Sequence, residues 1–213
     1  MIAIIDYGAG NLRSIKKAVE NIVGKNVKIS SDKKEISKAD GIVLPGVGAF
    51  SPAMKFLKEK NLIETITDFA KTGKLVLGIC LGMQLFFEES EESLKTRGLG
   101  LLKGKVKKLP VRVKLPHIGW NCIELKIKNE KLKIAKDIKD HTFYYFVHSY
   151  YCEPEDKNII VATTEYGIKF ASIIEKDNII GTQFHPEKSS ESGIKLLKGI
   201  LEKNAYKKDN TLS

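Results

Sequence analysis

Over the first hundred residues, short apolar runs alternate with stretches where apolar residues recur every three or four positions. Ile2–Ile5 is a short run rich in isoleucine at the start of the chain, followed by the turn Tyr7-Gly8-Ala9-Gly10-Asn11. Leu12, Ile15, Ala18, Val19 and Ile22 mark one face of a helix, with Lys16 and Lys17 on the other. Val27–Ser30 and Ile42–Leu44 predict two further strands, the second ended by Pro45-Gly46-Val47-Gly48. A helix is predicted from about Ser51 through Phe69, a strand over Leu75–Gly78, and another helix over Met83–Glu92. Short apolar strands separated by helices indicate a parallel sheet covered on both faces.

The pattern changes after residue 98. Val106–Leu109, Asn121–Ile127, Phe143–Tyr150, Ile159–Thr164, Ala171–Glu175 and Ile179–Phe184 read as strands. Turns such as Lys176-Asp177-Asn178 join neighbours closely enough for antiparallel hairpins. A last helix, Ser190–Asn204, carries apolar residues at Ile194, Leu197, Ile200 and Leu201, and the tail from Lys207 to Ser213 is polar. No repeat, low-complexity linker or Pro/Gly hinge interrupts the chain. The expected fold is therefore a single α/β domain over residues 1–204. It has a mixed, mainly parallel sheet flanked by helices, with added antiparallel strands in the second half and a polar tail over 205–213.

Composition narrows the function classes. The 213 residues are 42% hydrophobic and 29% charged, enough to bury a sizeable core. Lys+Arg number 36 against 26 Asp+Glu, a net charge of +10 that raises the question of nucleic-acid binding. The lysines, however, are spread from Lys16 to Lys208, and no helix-turn-helix or aromatic RNA-binding string accompanies them. Three cysteines, with no CxxC pair, argue against a disulfide framework and a cysteine metal site, and fit a reducing cytoplasm. The four histidines form no HxH or HExxH arrangement, so neither metal nor cofactor is expected. No apolar stretch reaches the roughly 20 residues of a membrane helix. No basic segment precedes the Ile2–Ile5 run, so no secretory signal is expected.

The most informative string is Leu75-Val76-Leu77-Gly78-Ile79-Cys80-Leu81-Gly82-Met83-Gln84. A strand runs into a helix through G-x-C-x-G, the layout of a nucleophile elbow with Cys in place of Ser. The turn presents Cys80 at the first turn of a helix, where the helix dipole favours a sulfur anion. The N–H of Leu81 can point at a developing oxyanion. A lone cysteine is more often a small buried hydrophobe, the reading kept for Cys122 and Cys152. A thiol nucleophile needs a proton acceptor. His185 ends a strand and is followed by Pro186 and Glu187; on an extended backbone both side chains share a face, so the carboxylate can orient the imidazole. His148 is the competing base, though its strand position suits a substrate-lining or structural residue. The Pro45–Phe50 loop could supply a second oxyanion donor from its backbone; it lacks the Lys-Ser/Thr of a phosphate loop. Gly8-Ala9-Gly10 hints at a dinucleotide fingerprint, but Arg13 stands where its third glycine belongs.

Taken together, PGVG, GICLGMQ and QFHPE resemble the class I (triad-type) glutamine amidotransferases. DYGAGNL at the start, PHIGWN in the middle and FVHSYY after it make the ordered set similar to glutaminase subunits of imidazole glycerol phosphate synthase, from Met1 to about Asn204. The resemblance implies Cys80 as nucleophile, His185 as base and Glu187 as its orienter. It implies Leu81 and the Gly46-Val47 pair as oxyanion donors, and Gly48, Gln84, Glu92, His148, Ser149 and Tyr150 as the glutamine pocket. Glu92 is picked from Glu88, Glu89, Glu91 and Glu92 by register alone; the plain alternative for that cluster is a solvated helix end. The resemblance also implies a separate cyclase partner, a (β/α)₈ barrel in a heterodimer that receives ammonia, with Lys188 near the interface. Reorientation of the Gly46-Val47 peptide would be the switch that wakes the site. Rival readings are a glutaminase for another acceptor (anthranilate, aminodeoxychorismate or GMP synthesis), a free-standing cysteine hydrolase, and a basic nucleic-acid-binding domain.

Overall fold

The computed structural model describes residues 1–8, 12–126, 134 and 138–205, with side chains described to 202. Ala9, Gly10 and Asn11, the end of the strand expected at Ile127, and the tail from Lys207 lie outside them. The amphipathic and apolar stretches of the first half form β1 (Ile2–Ile5), α1 (Leu12–Val23), β2 (Val27–Ser30), α2 (Lys33–Lys38), β3 (Gly41–Leu44), α3 (Phe50–Glu59), α4 (Leu62–Lys71) and β4 (Leu75–Ile79). A one-turn helix α5 (Leu81–Gln84) and the short strand β5 (Glu89–Ser90) follow. The second half supplies β6 (Gly104–Lys108), β7 (His117–Cys122), β8 (Glu124–Leu125), β9 (Phe143–His148), β10 (Tyr150–Pro154), β11 (Ile160–Glu165), β12 (Lys169–Lys176), β13 (Ile179–Thr182) and α6 (Ser190–Ala205).

The central sheet has the order β2-β1-β3-β4-β13-β12-β11-β8. Its first five strands are parallel, and β12, β11 and β8 add on through antiparallel pairs. This is the mixed, mainly parallel sheet that the alternation indicated. Helices cover both faces. Ile15 and Val19 of α1 pack with Leu196, Leu197, Ile200 and Leu201 of α6 in one layer. Ile36, Leu57 and Ile66 of α2, α3 and α4 fill the other. The α6 stripe differs from expectation by one position, for Leu196 is buried and Ile194 is exposed. Two smaller sheets, β10-β6-β5 and β7-β9, stand beside the main one.

Four further boundaries differ from expectation, each for a physical reason. The helix expected over Ser51–Phe69 is two, because Asn61 turns left-handed at φ 51° between them. Asparagine tolerates that conformation better than most residues. The helix expected over Met83–Glu92 stops after one turn. Phe86 and Phe87 are fully buried, and the returning segment bonds the carbonyls that a longer helix would use: Leu99 N–H to Leu85 O at 2.8 Å, Leu102 N–H to Phe86 O at 3.0 Å, Gly98 N–H to Glu88 O at 3.0 Å. The Asn121–Ile127 and Phe143–Tyr150 runs each divide between two sheets: β7 pairs with β9, β8 with β11, and β10 with β6. Helix α2, which the periodicity did not signal, starts at an N-cap: Asp32 accepts from Glu35 N–H at 2.9 Å.

Candidate active site

Sheet register assembles the site. In the parallel pairs Leu44 lies opposite Gly78, and Thr182 opposite Ile79. The chain therefore leaves β3, β4 and β13 at one level. The Gly46 loop, Cys80 and the Gln183–Glu187 segment emerge side by side at the C-terminal edge, where open α/β sheets place their ligands. Cys80 occupies φ 49°, ψ −104°, a left-handed conformation uncommon for a side-chain-bearing residue. Its N–H donates to Thr182 O at 2.7 Å. The flanking glycines are required by close packing: a Cβ at Gly82 would lie 2.0 Å from Leu44 O, and one at Gly78 would lie 2.5 Å from the Phe86 ring.

His185 follows β13, its N–H bonded to Tyr145 O at 2.9 Å. Its Nδ1 meets Glu187 Oε1 at 2.8 Å, with the two side chains 1% and 7% exposed. The link is a 3₁₀ turn over Pro186–Lys188, not the extended backbone expected, with Pro186 at the first position that suits its fixed φ. Ser189 Oγ clamps the turn by donating to His185 O at 2.7 Å and accepting from Tyr145 N–H at 2.9 Å. His185 Nε2 and Glu187 Oε2 are buried without hydrogen-bond partners. Burial alone would push the imidazole down; neighbouring Cys80 and the Glu187 carboxylate outweigh it and raise it to about 10. A histidine with one nitrogen fixed by a carboxylate and the other unpartnered is arranged to exchange a proton.

Cys80 and His185 open into a cleft of about 320 Å³. Gly46, Val47, Gly48, Leu81, Gln84, Glu92, His148, Ser149 and Tyr150 line it, so the sequence-selected residues come together there. Glu187 stands behind His185, and Lys188 sits half-buried outside the lining. Glu92 is held by accepting from Phe50 N–H at 3.0 Å. It follows β5 instead of ending a solvated helix, and its neighbours are used elsewhere: Glu91 accepts from Lys108 N–H at 2.8 Å, and Glu89 faces Arg97 at 3.8 Å.

His148 is unsuited to act as the base. Its Nδ1 donates to Tyr150 O at 2.9 Å, so Nε2 accepts from His117 Nδ1 at 3.0 Å. His117 Nε2 in turn accepts from Asn121 Nδ2 at 3.2 Å. Both rings are buried, and burial lowers His148 to about 3 and His117 to about 4. Both stay neutral at pH 7, with every ring nitrogen engaged. Several groups at the site had not been singled out from the sequence. Gln183 is fully buried against Cys80, Val147 O lies 3.8 Å from the sulfur, and Pro116 joins the lining. Tyr7 is buried and donates to Pro45 O at the start of the glycine loop. Gln183 shares the odd-numbered alternation of His185, a signal that would have found it.

Among the described residues no His/Cys/Asp/Glu cluster is placed to hold a metal, and no helix is long and apolar enough to cross a membrane. Residues 3–203 match the family described as glutamine amidotransferase class-I. The chain is 50% identical over 200 residues to the imidazole glycerol phosphate synthase subunit HisH of Aquifex aeolicus, covering 94% of this chain and 95% of that one. It is 50% identical over 206 residues to the HisH subunit of Bacillus cytotoxicus, at 95% and 96% coverage. To that of Moorella thermoacetica it is 47% identical over 201 residues, at 94% and 94% coverage. Among solved structures, a crystal structure titled glutamine amidotransferase superposes with a TM-score of 0.74 at 15% identity, covering 95% of this chain and 98% of that one. PurLQS from Thermotoga maritima gives 0.71 at 21% identity, with 95% and 97% coverage. With a matching elbow, a buried His-Glu pair and a family match over nearly its whole length, the chain belongs to the class I glutamine amidotransferases.

Proposed function

We propose that this chain is the glutaminase subunit of an imidazole glycerol phosphate synthase, hydrolysing glutamine and passing ammonia to a cyclase subunit. The observation that carries the chemistry is that Cys80 and His185 open together into the cleft, with Glu187 buried behind the imidazole. The Cys80 sulfur, its proton held by His185, attacks the side-chain amide carbon of glutamine. The carbonyl becomes an oxyanion facing the N–H of Leu81 and a backbone N–H of the Gly46-Val47 pair. Collapse breaks the C–N bond, and His185 gives its proton to the departing ammonia. Water, deprotonated by His185, then adds to the glutamyl thioester; the C–S bond breaks, glutamate leaves and the sulfur is restored. Glu187 keeps the imidazole in one tautomer and supports its positive charge. Gly48, Gln84, Glu92, Ser149 and Tyr150 grip the amino-acid end of the substrate, and His148, locked neutral, holds the wall they stand on.

The partner reading has its own support. Ile118 and Trp120 on β7 and Phe143 on β9 are 60%, 51% and 56% exposed and share one face of the β7–β9 ribbon, an apolar surface open to a partner. Ile118 pairs with Val147, a lining residue, so that face adjoins the cleft. A (β/α)₈ cyclase seated there, with Lys188 at its margin, would take ammonia directly. The names of the relatives favour the histidine-pathway acceptor over anthranilate, aminodeoxychorismate or GMP synthesis. Three free cysteines suit a reducing cytoplasm. The test is Cys80→Ala in the complex with the cyclase: glutamine-dependent synthesis should vanish while ammonium-dependent synthesis survives. Retained glutamine hydrolysis would refute the assignment.

A further inference from the structure

We infer that Gln183 is a further catalytic residue of this site: its side-chain amide donates to the Cys80 sulfur and holds the anion that attacks. The catalytic consequence rests on the glutaminase reading above; the contact does not. Gln183 is fully buried on the segment that carries His185, and its Nε2 lies 3.6 Å from Cys80 Sγ.

The polarity of that contact is fixed by backbone atoms some distance away. Tyr150 O can only accept, so the Gln84 amide must turn its nitrogen toward it, at 2.9 Å. A flipped Gln84 would set two oxygens face to face. The same nitrogen meets Gln183 Oε1 at 3.4 Å, which leaves the NH₂ of Gln183 for the sulfur. Tyr150 O also accepts from His148, and the chain continues through His117 to Asn121. There it is fixed again, for Asn121 Nδ2 donates to Glu165 O at 3.0 Å and Oδ1 accepts from Cys122 N–H at 2.7 Å. Every amide and imidazole in the series has one permitted orientation, and the end facing Cys80 is a donor.

The sulfur needs one. Val147 O lies 3.8 Å from it, an acceptor that favours the thiol and faces a sulfur anion unfavourably. Gln183 opposes it, because a hydrogen bond to an ion is roughly twice as strong as one to a neutral group. The titratable groups acting with this sulfur are His185, with Glu187 behind it, Tyr7 from the loop after β1, and Cys152 from β10. Of these only His185 lends positive charge, so a fixed neutral donor adds something the triad lacks.

The test follows iodoacetamide alkylation of Cys80 in the full chain across pH, by peptide mass spectrometry, with half-buried Cys122 as internal reference. Gln183→Met keeps the volume and removes the donor. The Cys80 profile should move up by about one pH unit, or about tenfold slower alkylation below its midpoint, while Cys122 is unchanged. In the complex kcat for glutamine should fall about tenfold with KM within about twofold, as expected for a group acting on the nucleophile. If Gln183→Met does not fold, Gln183→Glu keeps the shape, still accepts from Gln84 and sets a carboxylate against the sulfur, so its midpoint should move up further. A Cys80 profile that superimposes on wild type in either folded variant overturns the inference. A wild-type complex that releases no glutamate would instead refute the glutaminase reading, with the alkylation result still interpretable.

Discussion

Gly46→Ala is the substitution whose effect the geometry fixes most closely. A Cβ built there lies 2.6 Å from Ile79 O, 2.9 Å from His185 Cε1 and 3.0 Å from Cys80 Cβ. Two of those neighbours are the proposed nucleophile and base, and the third is the carbonyl of the strand that carries one of them. The added carbon must retreat from 2.6 Å to the ordinary 3.4 Å, a displacement of about 0.8 Å shared among the loop, the elbow and the imidazole. None can yield freely: Cys80 is tied to Thr182 O, and His185 is clamped through Ser189 and Glu187. Overpacking of this kind costs about 1–3 kcal/mol. For a chain of this size each kcal/mol lowers Tm by roughly 2–4 °C, so a fall of about 2–12 °C is expected. A misplacement near 1 Å of reacting groups costs about 100-fold in rate. The assay is glutamate release by the complex beside ammonium-dependent synthesis by the same preparation, with Tm from thermal denaturation. Glutaminase should fall about 100-fold while ammonium-dependent synthesis holds. Full glutaminase activity at unchanged Tm would show that the loop, elbow and base are not packed as described.

Glu187→Gln removes a charge that helps raise His185. The imidazolium is held to about pH 10 in the folded chain against an ordinary 6.5, so its stabilising contribution is complete below pH 6.5 and is lost as pH climbs toward 10. Urea denaturation at pH 7 and 9.5 should show wild-type stability falling over that window and the variant falling less; equal slopes would count against the pair. Trp120→Ala should weaken cyclase binding, seen by titration calorimetry, and leave Tm of the isolated chain within about 2 °C because the ring is half-exposed. Unchanged affinity would place the partner elsewhere.

Sequence by itself determined the alternation of strands and helices, the mixed sheet class and the family. The residues of the elbow and of the His-Glu pair were legible too, because G-x-C-x-G and HPE are local: two glycines at a strand end and a carboxylate two residues past a histidine need few distant contacts to be read. What it could not give was anything settled by pairing between distant segments. The Met83–Glu92 periodicity looked helical, yet residues 98–102 take the carbonyls of Leu85, Phe86 and Glu88, and the helix stops. His148 stayed open as a base until His117 and Asn121, brought beside it by the β7–β9 register, occupied its ring. Gln183 sat in the same string as His185, but which of its atoms faces Cys80 depends on Tyr150 O, 33 residues earlier on another sheet. Local backbone preference writes elements and turns into the sequence. Hydrogen-bond polarity across the site belongs to the tertiary structure, where each donor must find the one acceptor the fold has left for it.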